Sequence, residues 1–272
     1  MLKSVGGNAV ARIHVETIID APLERIWEFT QDPRRHPRWD ARFGRIDPVP
    51  GTEPAAFTYA TTVFPGVEIA GHGVHTGDRR DDTGGAVSAL RFGSSDWRSP
   101  IESGTGYWRY VPVAGGVRFL TGYAYRTRWG LVGWAVDLVF GPVFGWATAW
   151  SFDRLRLWLE HDVTPERALR HAVAETTLRL ILVAGAVATV TSGAGVPGIG
   201  WLFALVIAGL AVFLPPHPRT PAARRCRRRP ATPQPAEPPP LACSPRVTAS
   251  RLAAPSLRAI AARSGAGTGE RR

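Results

Sequence analysis

The spacing of apolar and polar residues changes twice along the chain. Up to about residue 127, apolar positions alternate with polar ones over short segments that end at Gly, Pro or Asp, a period typical of β-strands. From residue 133 to 160 the alternation stops, and no residue between Asp137 and Asp153 carries a charge. Residues 180–216 also carry no charge. The pattern therefore predicts a β-rich region, one long apolar helix and a further apolar segment.

The β-rich region predicts an antiparallel sheet of seven strands with two small helical elements. A strand at residues 12–19 precedes a helix at residues 23–30, where Pro22 and Glu24 suit the first turn. The prolines of residues 32–40 allow at most a short second helix. Gaps between the later strands are short, which favours hairpins over crossovers. These strands are expected at residues 43–48, 57–63, 67–75, 86–93, 97–111 and 117–127.

The long helix, expected at residues 133–160, is apolar on all sides. At 100° per residue, Trp146 and Trp150 lie on the side opposite to Phe152. A helix of this kind must be covered on more than one face. We therefore expect a curved sheet to grip one side and a membrane or a partner to cover the other. A solvated edge is expected near its end, at Asp153, Arg156 and Glu160.

The uncharged run at residues 180–216 is too long for one membrane span. A single helix would extend about 55 Å at 1.5 Å per residue, whereas the hydrocarbon core of a bilayer is about 30 Å thick. Glycine and proline near its middle predict a turn, so we expect two transmembrane helices at residues 176–192 and 198–214. Arginines flank both ends, and the positive-inside rule then places the N-terminal domain and the C-terminal tail in the cytoplasm. Two core helices of a soluble domain are the alternative.

Positive charge is concentrated after the β-rich region. Residues 1–165 carry 18 basic and 18 acidic side chains, whereas residues 166–272 carry 15 arginines and 4 glutamates, which accounts for the net charge of +11. The folded part therefore lacks the basic bias of a nucleic-acid-binding domain. The Pro- and Arg-rich end is expected to be disordered, with residues 224–229 lying on anionic lipids. The expected division is a flexible N-terminus (1–10), a domain (11–162), a linker (163–175), a transmembrane hairpin (176–214) and a disordered tail (215–272).

The first forty residues resemble the start of a known superfamily. The first strand is followed by Asp20-Ala-Pro-x-Glu-x-Ile-Trp27 and then by Asp32-Pro-x-x-His-Pro-x-Trp-Asp40. This order is similar to that of the SRPBCC superfamily, the START and polyketide-cyclase-like proteins, over roughly residues 10–160. The resemblance implies an α+β helix-grip fold, in which the sheet wraps a long C-terminal helix around a deep apolar cavity. It also implies binding of lipids, sterols, polyketides or other hydrophobic molecules, with cyclases, dehydratases and hydrolases among the members.

Aromatic residues with polar tips are the best indication of a ligand cavity. Such side chains line pockets for apolar ligands and orient them through a few hydrogen bonds. Plain core packing is the alternative for each of them. Six of the ten tryptophans lie between Trp129 and Trp201, where an interfacial belt beside a bilayer is a further alternative. The candidate ligand-binding residues are Tyr59, Thr61, Tyr107, Arg109, Thr121, Tyr123, Tyr125, Trp146 and Trp150.

Four residues are candidates for acid–base chemistry. Glu68 and His72 lie four apart on one strand face, where they could form an acid–base pair in a cavity or simply face solvent. Asp137 lies among apolar residues of the long helix. If buried it would need a partner such as Arg109 or Arg126, and a place in the first helical turn is the alternative.

Metal and cofactor sites are not expected. His72 and His75 are three apart on a strand and point to opposite faces. Cys226 and Cys243 lack the spacing of a metal motif. A Gly-x-Gly-x-x-Gly match at residues 193–198 follows an apolar helix, which is the wrong context for a dinucleotide-binding loop.

These patterns favour a membrane-anchored protein that binds a hydrophobic small molecule or lipid between sheet and helix. One alternative is a cyclase or dehydratase-type enzyme that uses the same cavity, with Glu68, His72, Asp137 and Arg109 as candidates. Another is a non-catalytic membrane interaction module. The sequence leaves open whether the protein forms a homo-oligomer. Nucleic acid is not expected as a partner. An enzyme should have a carboxylate or histidine with a shifted pKa in its pocket. A carrier should have an apolar pocket with one or two hydrogen-bonding groups. An interaction module should have a filled interface between sheet and helix and no pocket.

Overall fold

The computed structural model describes residues 10–64, 66–191 and 199–230. Its strands are β1 (Val10–Ile19), β2 (Arg45–Val49), β3 (Ala56–Phe64), β4 (Val67–Arg80), β5 (Ala86–Gly93), β6 (Ile101–Val113) and β7 (Gly116–Thr127). Its helices are α1 (Leu23–Gln31), α2 (His36–Trp39), α3 (Gly130–His161), α4 (Pro165–Thr191) and α5 (Ile199–Phe213), followed by a 3-10 helix at Ala223–Arg225. This order confirms the predicted α+β helix-grip architecture with two apolar helices after it.

The seven strands form one antiparallel sheet in the order β1-β7-β6-β5-β4-β3-β2. The first strand therefore pairs with the last, Val15 opposite Thr121, and α3 packs against these strands. β6 begins at Ile101, four residues later than expected, because Asp96 accepts hydrogen bonds from Arg98 and holds a turn there. β4 continues to Arg80 through an irregularity between His75 and Gly77.

The second half of α3 forms the core with the sheet. Phe152 stacks on Phe119 of β7 with ring centroids 4.5 Å apart, and both are fully buried. Trp39 of α2 packs edge-on against Phe152 and donates its indole hydrogen to Phe29 O at 3.0 Å. This contact explains how the short α2, broken by prolines in the sequence, is held in place.

The first half of α3 has a different environment. Leu131 is 88% exposed, Leu138 is 61% exposed and Val139 is 68% exposed. Phe140 and Phe144, in contrast, face the sheet and pack on Tyr125. This half therefore offers one face to the sheet and leaves a broad apolar surface uncovered by the described residues.

The helices α4 and α5 continue this uncovered apolar surface. Leu180, Leu202 and Leu205 are each more than three-fifths exposed. By length and composition alone, α3 and α4 could each cross a membrane, and α5 is a shorter apolar helix. The expected spans at residues 176–192 and 198–214 fall on α4 and α5, and the turn between them, with the glycine pattern at 193–198, lies outside the described residues.

Residues 215–230, here called the return segment, correct the expected start of the disordered tail. Arg225 binds Asp153 of α3 at 2.9 Å and donates to the carbonyl oxygens of Thr220, Pro216 and His217. Asp153 also accepts from the backbone N–H of Ala222 and from Arg156. The expected solvated edge of α3 is therefore wrong at Asp153, which is fully buried. Residues 231–272 of the expected tail lie outside the described residues.

Candidate functional site

Three tyrosines named from the sequence lie on the inner face of the sheet, toward α3. Tyr59, Tyr123 and Tyr125 belong to one aromatic group with Phe92 and Phe144. Glycines on neighbouring strands make room for the rings: a Cβ at Gly71 would lie 2.2 Å from the Tyr59 ring, and one at Gly106 would lie 2.5 Å from the Tyr123 ring. The sequence thus pairs each large ring with a strand position that has no side chain.

Tyr123 is the centre of a buried polar network. Its hydroxyl oxygen accepts a hydrogen bond from Arg42 Nη2 at 3.1 Å and another from Trp108 Nε1 at 3.3 Å. Arg42 follows α2 in the chain and reaches across to β7. The network therefore joins α2, β6 and β7 beneath α3.

Arg42 and Asp40 form a two-pronged ion pair. Arg42 Nε donates to Asp40 Oδ1 at 2.9 Å and Arg42 Nη2 donates to Asp40 Oδ2 at 2.6 Å. His36 Nε2 lies 3.1 Å from the same Oδ2. Both members of the pair are buried, so each needs the other to remain charged away from water. The parallel geometry is the strongest that an arginine offers a carboxylate.

Burial and the ion pair act in opposite directions on the ionisable groups of this network. Burial raises the pKa of the Asp40 carboxyl, but the Arg42 charge and the hydrogen bonds from Arg42 and His36 outweigh it and hold that pKa well below its usual value. Burial lowers the pKa of His36 more than its bond to Asp40 raises it. At neutral pH the network therefore contains one cation, one anion and a neutral imidazole.

One hydrogen-bond donor of the network is unused. Arg42 Nη1 is buried and has no hydrogen-bond partner. The guanidinium carbon lies 5.0 Å from the Tyr123 ring centre, 5.1 Å from that of Phe144 and 5.4 Å from that of Phe43. Tyr59 is close by, and burial raises its pKa to about 12, so its hydroxyl stays neutral. An unpaired buried donor costs about 1–3 kcal/mol, and this one lies within a ring of aromatic side chains.

Asp137 has a partner that sequence analysis did not name. Tyr125 donates its hydroxyl hydrogen to Asp137 Oδ1 at 2.6 Å. Burial, followed by this bond to the carboxylate, raises the pKa of Tyr125 and keeps the phenol neutral. The expected pairing with Arg109 or Arg126 is wrong, because Arg126 pairs with Glu102 and Arg109 lies on the other face of the sheet. Asp137 thus attaches the first half of α3 to β7.

Tyr107 and Arg109 do not line the space beneath α3. Both residues are direct neighbours of Trp108, which points toward α3 from β6. Because successive side chains of a strand point to opposite faces, Tyr107 and Arg109 point away from α3. Tyr107 packs with Val87, Ala89 and Leu120 in a separate cluster on the outer face. The placement of Tyr107 and Arg109 in a cavity is therefore corrected: the aromatic character of Tyr107 reflects packing on the outer side.

Glu68 and His72 lie on that outer face as well. Glu68 is exposed, whereas His72 is buried beside Gly93 and burial lowers its pKa. Asp137, on the inner side, is remote from both in the fold. The four acid–base candidates therefore do not assemble into one site. Among the described residues, no group of three or more His, Cys, Asp or Glu side chains could hold a metal ion.

The remaining candidates divide between two places. Thr121 lies beside Tyr123 on the inner face, fully buried, and donates to Tyr107 O at 2.9 Å. Thr61 shares the face of Tyr59 and is half-buried. Trp146 and Trp150 instead stack on each other, with ring centroids 6.3 Å apart, and line a cavity of about 600 Å³ between α3, α4 and the return segment. They are thus separated from the tyrosines by α3 itself.

The space that sequence analysis assigned to a hollow is occupied by aromatic side chains. Phe140 and Phe144 of α3 fill it from above, and Phe92, Tyr123 and Tyr125 fill it from the sheet. The cavity beside Trp146 and a second one of about 760 Å³ beside β1 both lie elsewhere. A ligand beneath α3 would therefore have to displace side chains.

Sequence reasoning missed His36, Asp40 and Arg42 as functional candidates. His36 and Asp40 belong to the opening motif described above, and Arg42 follows it two residues later. The available signal was the spacing His36-x-x-x-Asp40-x-Arg42 directly after a proline-broken segment. Residues of complementary charge at this spacing can pair with one another if the turn is buried, although most charged residues in turns face solvent.

Comparison with known families identifies the domain. Residues 10–160 match the family described as polyketide cyclase / dehydrase and lipid transport. The chain belongs to this family. Because the matched range ends with α3, the family domain comprises the sheet and its long helix, and it is a hydrophobic-ligand-binding domain. The helices α4 and α5 and the return segment follow it.

One curated relative and several solved structures are similar to this member of the family. The membrane protein YndG of Bacillus subtilis (strain 168) is 41% identical over 165 residues, which are 59% of this chain and 62% of that protein. The chain thus spans about three-fifths of the relative's length. The aromatase/cyclase ZhuI of Streptomyces sp. R1128 is 11% identical, with a TM-score of 0.41 over 56% of this chain and 98% of its own. A STAR-related lipid transfer protein fragment of Xanthomonas axonopodis is 16% identical, with a TM-score of 0.38 over 58% and 97%.

Proposed function

We propose that this chain is a membrane-tethered binding protein for a largely apolar molecule that carries a neutral oxygen acceptor. The single observation that carries the proposal is the buried, unpaired Nη1 of Arg42 among the rings of Phe43, Tyr123 and Phe144. A donor fixed in an aromatic setting matches the usual composition of ligand sites, in which a few polar groups orient an apolar molecule.

The charge balance of the network restricts the ligand. Asp40 already neutralises Arg42 through two hydrogen bonds, so a second anion beside them would be buried without a counter-charge. A carbonyl or hydroxyl oxygen would accept the free hydrogen of Nη1 without adding charge. The preferred ligand class is therefore a ketone, ester or alcohol with a large apolar body, rather than a phosphate.

A ligand would reach the aromatic group beneath α3 by displacing the first half of this helix. Phe140 and Phe144 fill the space above Tyr123 and Tyr125, and they belong to the half of the helix whose other faces are uncovered. Its polar attachment to the sheet is the bond between Tyr125 and Asp137. A small outward movement of this half would open the aromatic group while the second half of α3 remains packed.

Two features of the structure support a membrane tether. The surfaces of α4 and α5 are apolar and largely uncovered by the described residues. The return segment packs on α3 and β1, so the start of α4 and the end of α5 lie on the same side, as a hairpin in a bilayer requires. The positive-inside rule places that side in the cytoplasm.

Ligand binding can be tested by extracting the full-length protein, purified in a mild detergent, and identifying bound small molecules by mass spectrometry. Tyr123→Phe removes the hydroxyl that positions Arg42, and we expect about fivefold less bound molecule, corresponding to about 1 kcal/mol. The matched control is Tyr107→Phe on the outer face of the sheet, which should retain the wild-type amount. Recovery of no molecule from the wild type, or equal losses in both variants, would contradict the proposal.

Topology can be tested with a thiol reagent that does not cross membranes. Burial raises the pKa of the Cys226 thiol to about 12, so this cysteine should react little, which leaves Cys243 as the reporter of the tail. Thr83→Cys adds a reporter on the exposed turn between β4 and β5. Both positions should react only when the cytoplasmic face is accessible. Labelling of the two positions from opposite sides would overturn the hairpin.

A further inference from the structure

A second cavity lies at the edge of the sheet, far from the aromatic group. It has a volume of about 760 Å³ and is bounded by β1, β7, the end of α3 and the return segment. Its walls carry Arg118 from β7, Arg156 and His161 from α3, and Arg225 and Arg227 from the return segment, with Glu16 as the lining acid. These basic residues are scattered along the sequence and meet only in the fold.

Two of the four arginines are balanced by acids behind the cavity wall. Arg156 donates to Asp153 at 2.8 Å and to Glu160 at 2.6 Å. Arg225 binds the other oxygen of Asp153 at 2.9 Å. These two guanidinium groups therefore mainly hold the return segment against α3.

The other two arginines depend on a single carboxylate. Arg227 Nη1 lies 3.4 Å from Glu16 Oε1, while the second oxygen of Glu16 lies 3.3 Å from His14 Nε2. Arg118 Nε is buried and has no hydrogen-bond partner. The cavity thus has one positive charge more than the acids around it can balance, and one buried donor left over.

We infer that this cavity binds a phosphoryl group and that the bound anion holds the return segment against β1. Guanidinium groups present N–H donors in the planar arrangement that phosphate oxygens accept. Here the donors come from both sides of a junction, because Arg118 belongs to the sheet and Arg227 to the return segment. That junction has one backbone pair next to the cavity, in which the N–H groups of Glu16 and Arg227 each bond to the other's carbonyl oxygen at 2.9 Å.

The phosphoryl group could belong to a soluble phosphate ester or to a lipid headgroup. Pro218 lines the cavity only four residues after Leu214, at which the apolar surface of α5 ends. Four residues reach at most about 14 Å, so a headgroup at the surface of a bilayer around α5 would be near the cavity. The shared chemistry is the phosphate, and the experiment separates the two sources.

The experiment uses the full-length protein in a non-ionic maltoside detergent, which carries no phosphate, either alone, with added inorganic phosphate or with added phosphatidylglycerol. Ionic strength is matched with chloride. A site filled to a tenfold excess over its Kd should raise the Tm by about 4 °C. It should also slow amide hydrogen exchange in residues 216–227. A response to free phosphate identifies a soluble ligand, and a response only to phosphatidylglycerol identifies a headgroup.

The decisive variant is Arg118→Gln. In chloride and detergent alone its Tm should equal or exceed that of the wild type, because the substitution removes an unbalanced charge and an unpaired donor. Its response to phosphate or phosphatidylglycerol should be at least tenfold weaker. The matched control is Arg91→Gln, an exposed arginine on the outer face of β5, which should respond like the wild type.

Two results would overturn the inference. One is the absence of any response of the wild type to phosphate and to phosphatidylglycerol. The other is an equal response of the wild type and Arg118→Gln, which would mean that the anion acts on another surface. Arg227→Gln provides a second check from the other side of the junction, since it should weaken the response and leave exchange in residues 216–227 fast.

Discussion

The two halves of α3 have similar apolar compositions but different surroundings. From Ala149 to Leu159 the helix is buried between the sheet, α2 and the return segment, and Phe152, Leu155 and Leu157 are fully inaccessible. From Leu131 to Val143 it presents large apolar side chains that the described residues leave uncovered. Apolar residues on every side of a helix therefore indicate that each face needs a cover, but they do not distinguish protein from lipid as that cover.

The second half of α3 is fixed in the core, whereas the first half has a more open setting among the described residues. The second half stabilises the domain, because its side chains interlock with the core. The first half is attached by Phe140, Phe144 and the bond from Tyr125 to Asp137. The loop that carries Asp40 and Arg42 lies at the boundary, since the N–H of Ala41 donates to Ser151 Oγ and Arg42 contacts Phe144. Movement of the first half would therefore change the surroundings of Arg42.

The largest effect is expected from a cavity in the second half. Phe152→Ala removes a fully buried ring that stacks on Phe119 and should lower the free energy of unfolding by about 4 kcal/mol. Denaturant titration of the full-length protein in detergent measures this. The matched substitution in the first half, Leu138→Ala, should cost less than about 0.5 kcal/mol. Similar losses in both variants would mean that the two halves do not differ in the way described.

A smaller loss is expected when the return segment is released from the second half. Arg225→Gln removes one of the two charged partners of the buried Asp153, the other being Arg156, and should cost about 2 kcal/mol. Hydrogen exchange should then rise in residues 216–227 and in the second half of α3. The neighbouring Arg224→Gln is the control, because Arg224 is exposed and should change neither quantity. Unchanged exchange in Arg225→Gln would show that the segment is held by its apolar contacts alone.

The pattern of the chain was sufficient to predict the strands, α1, the long helix and the apolar pair after it. It could not give the surroundings of Asp153, because its partner Arg225 is 72 residues later in a stretch whose composition is typical of disorder. The pattern also placed Tyr107 on the wrong face of β6, because alternation alone does not show which of the two sets of residues points toward α3. The Asp40–Arg42 pair could not be predicted because it forms in a turn, and a turn has no repeating spacing of apolar residues that shows which side chains are buried.

The attachment of the first half can be weakened without disturbing the second. Tyr125→Phe removes the hydrogen bond to Asp137 and should cost about 1 kcal/mol. Because the bond joins β7 to the third turn of α3, exchange should rise in residues 130–140 and stay unchanged in residues 149–159. Tyr107→Phe, on the outer face, should alter neither range. A uniform rise along α3 would contradict the proposed independence of its halves.

The last expected effect concerns the boundary between the halves and depends on pH. Burial holds the pKa of His36 below that of an unfolded histidine, so between those two values the folded state binds fewer protons than the unfolded state. The resulting stability is complete above the unfolded pKa of about 6.5 and is lost as pH falls toward the folded pKa.

The free energy of unfolding, measured from pH 7.5 to 5.0, should therefore fall by at most about 1.4 kcal/mol per pH unit for each such histidine. His36→Gln should reduce this slope without abolishing it, because burial also lowers the pKa of His14 and His72. Tyr107→Phe should leave the slope unchanged, because burial raises the pKa of that phenol and it lies above this pH range. An identical slope in His36→Gln and the wild type would contradict the lowered pKa of His36. A steeper slope in His36→Gln than in the wild type would mean that the imidazole at the boundary is protonated in the folded protein. In that case the network around Arg42 would carry an extra positive charge, and an anionic ligand would fit it better than a neutral one.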